Sequence, residues 1–315
     1  MSLERQLMRR LFILLIFLVV PLLGLTPISI SGFVQDSHPP TFEHIPWIVH
    51  INREYVRPGK DAEYNEIEMG AAHTCAELKC PESYLTIESL AGPRQVWFLV
   101  GFNNYNEMNQ ASAAYAKDNE LLLELARITQ RKRTVTSPPE NITARYRADI
   151  SRNADPNLAA ARYLAITTVK VSPAYKDGFY EIQGFQKSAH VDAGVGHTHL
   201  IYQAVVGDVS NYYIVTPLHD PYEPKEPTAL DAQIYADFAG AERNKEIRKL
   251  VAESIISSET KIFAFAPPLS YLPEKWISAD PEFWGPAGAH AVAELMNMGA
   301  HHPLQRSAQT SNQKK

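Results

Sequence analysis

The chain has 315 residues, 45% of them hydrophobic and 21% charged, which supports buried cores and argues against bulk disorder. Its length suits two domains of ordinary size. A formal net charge of -5 leaves no electrostatic footprint for nucleic acid, so no polynucleotide partner is expected.

Residues 1–32 are read apart from the rest. Arg5, Arg9 and Arg10 precede an apolar run from Leu11 to Val20, which continues past Pro21 to Leu25. Ser29, Ser31 and Gly32 follow as small residues at cleavage positions. Basic, apolar and small blocks in that order make a secretory signal peptide. Arg9-Arg10-Leu11-Phe12-Ile13 also has the layout of a twin-arginine export motif. Left uncleaved, residues 11–30 are long enough to anchor the chain in a bilayer. Either outcome predicts an exported protein, periplasmic, extracellular or anchored, that meets the membrane only through this segment.

Positions 47–56 alternate as a strand does, and Pro58-Gly59 ends the run. From 60 to 78, Tyr64, Ile67, Ala71, Cys75 and Leu78 recur at helical spacing. Positions 84–90 and 95–102 read as strands joined by Ala91-Gly92-Pro93-Arg94. A helical pattern over 103–129 follows, then a last short strand at 133–136 before Pro138-Pro139. The second half predicts a strand at 163–171, a helix at 175–191 and a hairpin of 198–206 with 211–218 around Gly207-Asp208. A helix over 228–256, in one piece or two, and a strand at 261–266 complete it. A short helix after Pro286 and a polar, disordered tail from Ser307 close the chain.

The two halves also echo one another in sequence. Val56-Arg57-Pro58-Gly59, with Lys60-Asp61 and Glu66-Ile67, returns as Val171-Ser172-Pro173-Ala174, with Lys176-Asp177 and Glu181-Ile182. Ordered matches of this kind predict a tandem duplication, 45–153 and 154–286, with 287–315 as a helix and tail. A βαββαβ unit makes a four-stranded antiparallel sheet with its helices on one face, and a second unit is the simplest cover for the other. On this pattern, and on the strand-Pro-Gly-Lys-helix fragment from Val56 to Asp61, the chain resembles the dimeric α+β barrel superfamily of ferredoxin-like domains. That group includes the antibiotic-biosynthesis monooxygenases and, more distantly, the chlorite dismutases. The resemblance implies an α+β fold whose two antiparallel sheets face each other as a pseudo-dimeric barrel. It also implies a monomer or weak homo-oligomer.

Matching the apolar sets Leu85-Ile87 and Leu200-Tyr202-Ala204 to the helix-covered faces sends Tyr84, Glu88, His199 and Gln203 into the barrel, as ligand-binding residues. His50 and Asn52, alternating with Glu54 on the first strand, join them as a polar set able to move protons. His197 and His199, two apart on a strand, project to one side as metal ligands do, with His190, His219, Asp220 or Glu181 as a third. Ordinary polar residues at a strand start would look the same. The resemblance adds haem on His199 or His190, beside the simpler expectation of no cofactor. Cys75 and Cys80, the two cysteines, form a disulfide most simply in an exported chain; the helix must then end near Leu78, as Pro81 suggests.

No phosphate loop, nucleophile elbow or catalytic cysteine-histidine pair is present. The expected function is therefore to bind a small, mostly apolar molecule between the repeats. The alternatives are a cofactor-independent monooxygenase or isomerase, and an envelope interaction module without a ligand. A large cavity would favour binding or catalysis; a filled interior with an exposed apolar patch would favour the last.

Overall fold

The structure, a computed structural model, describes residues 45–152, 157–196, 198–222 and 227–297. The expected signal segment, His197 and the polar tail lie outside them. Eight strands form a closed antiparallel barrel in the order β1-β3-β2-β8-β5-β7-β6-β4. In chain order the first half is β1 (Ile48–Tyr55), α1 (Asp61–Leu78), β2 (Leu85–Ser89), β3 (Gln95–Phe102), α2 (Tyr105–Tyr115), α3 (Asn119–Lys132) and β4 (Glu140–Tyr146). The second is β5 (Tyr163–Val171), α4 (Lys176–Asp192), β6 (Leu200–Val206), β7 (Asn211–Leu218), α5 (Pro227–Ser254) and β8 (Ile255–Phe265). Each half lays its strands in the ferredoxin-like order, fourth-first-third-second. The halves join where β2 meets β8 and β4 meets β6, so no sheet edge is left open.

Local chemistry explains the departures from the predicted elements. The helix expected over 103–129 is two helices, because Asn104 and Asp118 each cap a new start. Their side chains accept from the backbone N–H of Glu107 and Leu121, both at 3.0 Å. The strand expected at 133–136 is a single bridge, Val56 to Thr136; the fourth strand begins after Pro138-Pro139, at Glu140. Similarly, β8 starts at Ile255 rather than 261 and pairs with β5 along its length. A positive φ of 69° at Gly240 kinks α5 into two pieces, a conformation glycine adopts freely. Gly178 is required for a different reason: a Cβ there would meet Ser254 Oγ at 2.4 Å, where α4 crosses the end of α5. Cys75 and Cys80 are joined in a disulfide, Cα atoms 4.7 Å apart, around the left-handed Lys79 that follows the end of α1.

The inward side chains make one continuous core. Val49, Ile51, Leu85, Ile87, Trp97, Ile142, Ala144, Leu164, Ile166, Leu200, Tyr202, Ala204, Tyr213 and Phe263 come from all eight strands. Trp97 stands at its centre, its ring 4.8 Å from Phe263 and 6.0 Å from Tyr213. After β8 the chain returns across the barrel as α6 (Glu274–Ala279), α7 (Pro281–Trp284) and α8 (Pro286–Asn297). Trp276 and Trp284 from the first two join the inward core; the Trp284 indole donates to the Ala159 carbonyl at 2.8 Å. Trp97→Ala should lower unfolding free energy by about 3–5 kcal/mol, the range for truncating a large core aromatic. Denaturant titration with retained far-ultraviolet circular dichroism would measure it.

Candidate functional site

Inward residues at the other mouth of the barrel are polar, namely Arg53, Gln95, Thr168, Glu259 and Lys261. Arg53 lies 5.5 Å over the Trp97 ring and pairs with Glu140. The gap they leave is about 20 Å³, room for about one water. This barrel is a packed core.

The residues predicted to face that interior point the other way. Leu85 and Ile87, with Leu200, Tyr202 and Ala204, are inside, so Tyr84, Glu88, His199 and Gln203 lie on the outer, helix-covered faces. The physical reason is that the enclosed core offers buried polar groups few partners, whereas outside it the loops supply Arg94 and Arg147 and the helices supply Asn65 and Lys132. Strands β2 and β6 sit on opposite sides of the eight-strand ring, so these four side chains do not converge on one pocket. Tyr84 packs beside the disulfide against Tyr271. His50 and Asn52 are also outward and half-buried, beside Thr143 and Asn141 of β4. Burial lowers the His50 pKa, opposed by a hydrogen bond with Asn141.

Beneath α1 and α3 the first half holds a closed network of charges. Glu88 pairs with Arg94, which also reaches Asn65 at 2.6 Å and Asp61. Lys132 sits between Glu54 and Glu68, and Tyr64 donates to Glu54 at 2.9 Å. The Lys132 ammonium is 2.8 Å from Glu68 Oε1, close enough for an ion pair although the oxygen lacks hydrogen-bond alignment. Burial pushes the Glu68 carboxyl up to about 7 despite Lys132. Glu54, Glu68 and Glu88 are each at most 3% exposed, so this network braces helices on the sheet and offers a ligand no access.

Under α4, the second half differs. Arg147 donates to the Tyr180 hydroxyl at 2.6 Å and to Gln203 at 2.9 Å, and Tyr180 and Tyr212 share a hydrogen bond of 2.9 Å. The Arg147 guanidinium stacks 4.2 Å from the Tyr180 ring centroid, and Lys176 lies beyond at 5.5 Å. Burial alone would raise the Tyr180 pKa. Hydrogen bonds with Tyr212 and Arg147, and the charges of Arg147 and Lys176, outweigh burial and hold the phenol below its ordinary value. Tyr212, fully buried, is pushed up by desolvation and by its bond to Tyr180. Tyr180 is half-buried, so this depressed phenol reaches the surface. Of the expected site residues, only Gln203 belongs to the cluster. Arg147 and Tyr180 carried no sequence signal, because strand parity and helix register bring them together only after folding.

The candidate histidines among the described residues are held by protein partners rather than gathered around a metal or haem. His190 is 1% exposed; its Nδ1 faces the Gln186 carbonyl and its Nε2 the Asp231 carboxylate, both at 2.7 Å. Protein oxygens lie against both ring nitrogens of this buried side chain, so neither faces an open site. His199 packs against Arg152, Glu181 pairs with Arg243, and His219 bonds the Ala160 carbonyl. No group of three or more His, Cys, Asp or Glu side chains able to hold a metal occurs among the described residues.

No protein-family model and no curated protein matches the chain. Solved structures do. A candidate monooxygenase from Lactobacillus acidophilus NCFM matches at TM-score 0.40 and 11% identity, over 69% of this chain and 93% of that one. An anthrone oxidase-like protein matches at 0.44 and 11%, over 71% and 91%. Chlorite dismutase from Candidatus Nitrospira defluvii matches at 0.41 and 8%, over 75% and 95%. Likeness this distant assigns no activity.

The buried carboxyls generate a pH prediction. Glu82 is also raised to about 7 by burial, like Glu68. A carboxyl with a raised folded pKa keeps its proton where the unfolded chain has released it. Stability should therefore fall as pH rises from about 4.5 to about 7, and Glu68→Gln should flatten the slope. Urea midpoints across that range would show it; equal slopes in both proteins would remove Glu68 as a source.

Proposed function

We propose that the chain is an enzyme of the cofactor-independent isomerase or monooxygenase kind, acting on a small molecule with an acidic hydrogen, with Tyr180 as its base. The observation that carries this reading is the half-exposed phenol held by Arg147 and Tyr212. A phenolate accepts both bonds. It can take a proton from a carbon beside a carbonyl, and Arg147 then stabilises the oxyanion that develops. Gln203 accepts from the same Nη1, and Asp149 holds the guanidinium from its other side through Nε and Nη2. The filled barrel argues against a ligand between the two halves, so the reading moves the ligand to the outer face under α4.

Deuterium exchange into a simple 1,3-dicarbonyl, followed by proton magnetic resonance, tests the chemistry. Tyr180→Phe should slow protein-catalysed exchange by about 10²–10⁴-fold. Arg147→Met should also slow it, and should raise the midpoint of the early tyrosinate absorbance change. Exchange no faster than buffer in the wild type would defeat the proposal.

One observation favours a second reading, the interaction module. Between α4 and α5 an open groove of about 550 Å³ is lined by Gly184, Phe185, Ser188, Phe238 and Ala239, with Phe238 40% exposed. An apolar segment of another protein would suit it.

Export is proposed on the layout of residues 1–32, and a disulfide between Cys75 and Cys80 suits an oxidising compartment. Mass spectrometry of native protein should find a start near Gly32 or Phe33, or an intact chain in the membrane fraction. Full-length chain in the cytosol would count against it.

A further inference from the structure

We propose that Arg152 anchors a binding site for a small oxyanion, a carboxylate or a phosphate, at the opposite end of α4 from Tyr180. Tyr180 and His190 are ten residues apart on that helix, roughly 15 Å at 1.5 Å per residue, so the two sites are separate.

Arg152 is only 7% exposed, and its Nε and Nη1 have no hydrogen-bond partner among the described residues. Its Nη2 lies 2.8 and 3.0 Å from the two ring nitrogens of His199. A neutral imidazole offers one nitrogen lone pair, and one Nη2 cannot align with both ring nitrogens, so this contact satisfies the guanidinium poorly. Four other enclosed arginines each meet a carboxylate: Arg53 meets Glu140, Arg94 meets Glu88, Arg147 meets Asp149 and Arg162 meets Asp280. The nearby carboxylate, Asp231, is committed to His190. Tyr235 hydrogen-bonds Arg152 through a neutral hydroxyl, and the charge of Asp231 also acts on the guanidinium.

A guanidinium taken out of water without a directly paired counter-charge is disfavoured, and an arginine always carries its charge. Fold stability alone would favour an apolar residue here. An oxyanion explains the arrangement, because planar guanidinium donors match carboxylate and phosphate oxygens. Tyr235 edges the same place, and its hydroxyl can supply a further hydrogen bond.

The test is thermal unfolding of the full chain at constant ionic strength, with inorganic phosphate, acetate or chloride as the added salt. Phosphate or acetate should raise the midpoint by about 2–4 °C over chloride, increasing with concentration as a bound ligand requires. Whichever oxyanion acts at the lower concentration identifies the ligand's class. Arg152→Met should abolish the shift while leaving the chloride midpoint equal or higher, whereas a merely structural arginine would lower it. Isothermal titration of the wild type with the same salts should give one site per chain, and keeps the proposal testable if the variant does not fold. Equal midpoints in all three salts, an undiminished shift in Arg152→Met, or no titratable site would overturn it.

Discussion

Edge pairing of β2 with β8 and of β4 with β6 is the constraint from which the arrangement of chemistry follows. Once the eight strands close, every strand has one face that water cannot reach and one face left to the helices. The enclosed face must be apolar along most of its length, and Trp97, Tyr202, Tyr213 and Phe263 fill it. Polar strand residues are thereby forced outward. Their fate depends on what the overlying helices carry.

The two halves answer that differently. Lys132 and Arg94 close the first half's carboxylates into a buried network, where removing one partner would strand charges in the interior. Such a network fixes helix positions but exposes nothing to a substrate. In the second half the cations and phenols lie nearer the surface, and their mutual bonds depress one phenol rather than burying it. Both proposed sites therefore lie under α4, with Arg147 and Tyr180 at one end and Arg152 at the other.

Periodicity made most elements of the barrel legible. Alternation in β2, β6 and β7 is plain, and the hairpin at Gly207-Asp208 is where turn chemistry puts it. Which face was inward was not legible, because Leu85-Ile87 and Leu200-Tyr202-Ala204 are equally suited to helices or to a barrel core. Closure decides it, since the sealed side demands the apolar set more strictly than the helix side does. Pro138-Pro139 was misleading for a related reason: it reads as the end of a unit, yet Ile142, Ala144 and Tyr146 after it alternate into the core. Parity singled out Gln203 but sent it into the barrel, whereas it faces outward; Arg147 meets it, and Arg152 meets His199, through the pairing of β4 with β6. Nothing in local sequence encodes that.

A barrel whose eight strands belong to one chain has a thermodynamic consequence. When such a barrel is assembled from two subunits, dilution dissolves its core, and folding stability scales with protein concentration. Here the seams at β2–β8 and β4–β6 are intramolecular, so their effective concentration is set by chain connectivity. Such a protein can be scarce, or released into a large volume, without losing its fold.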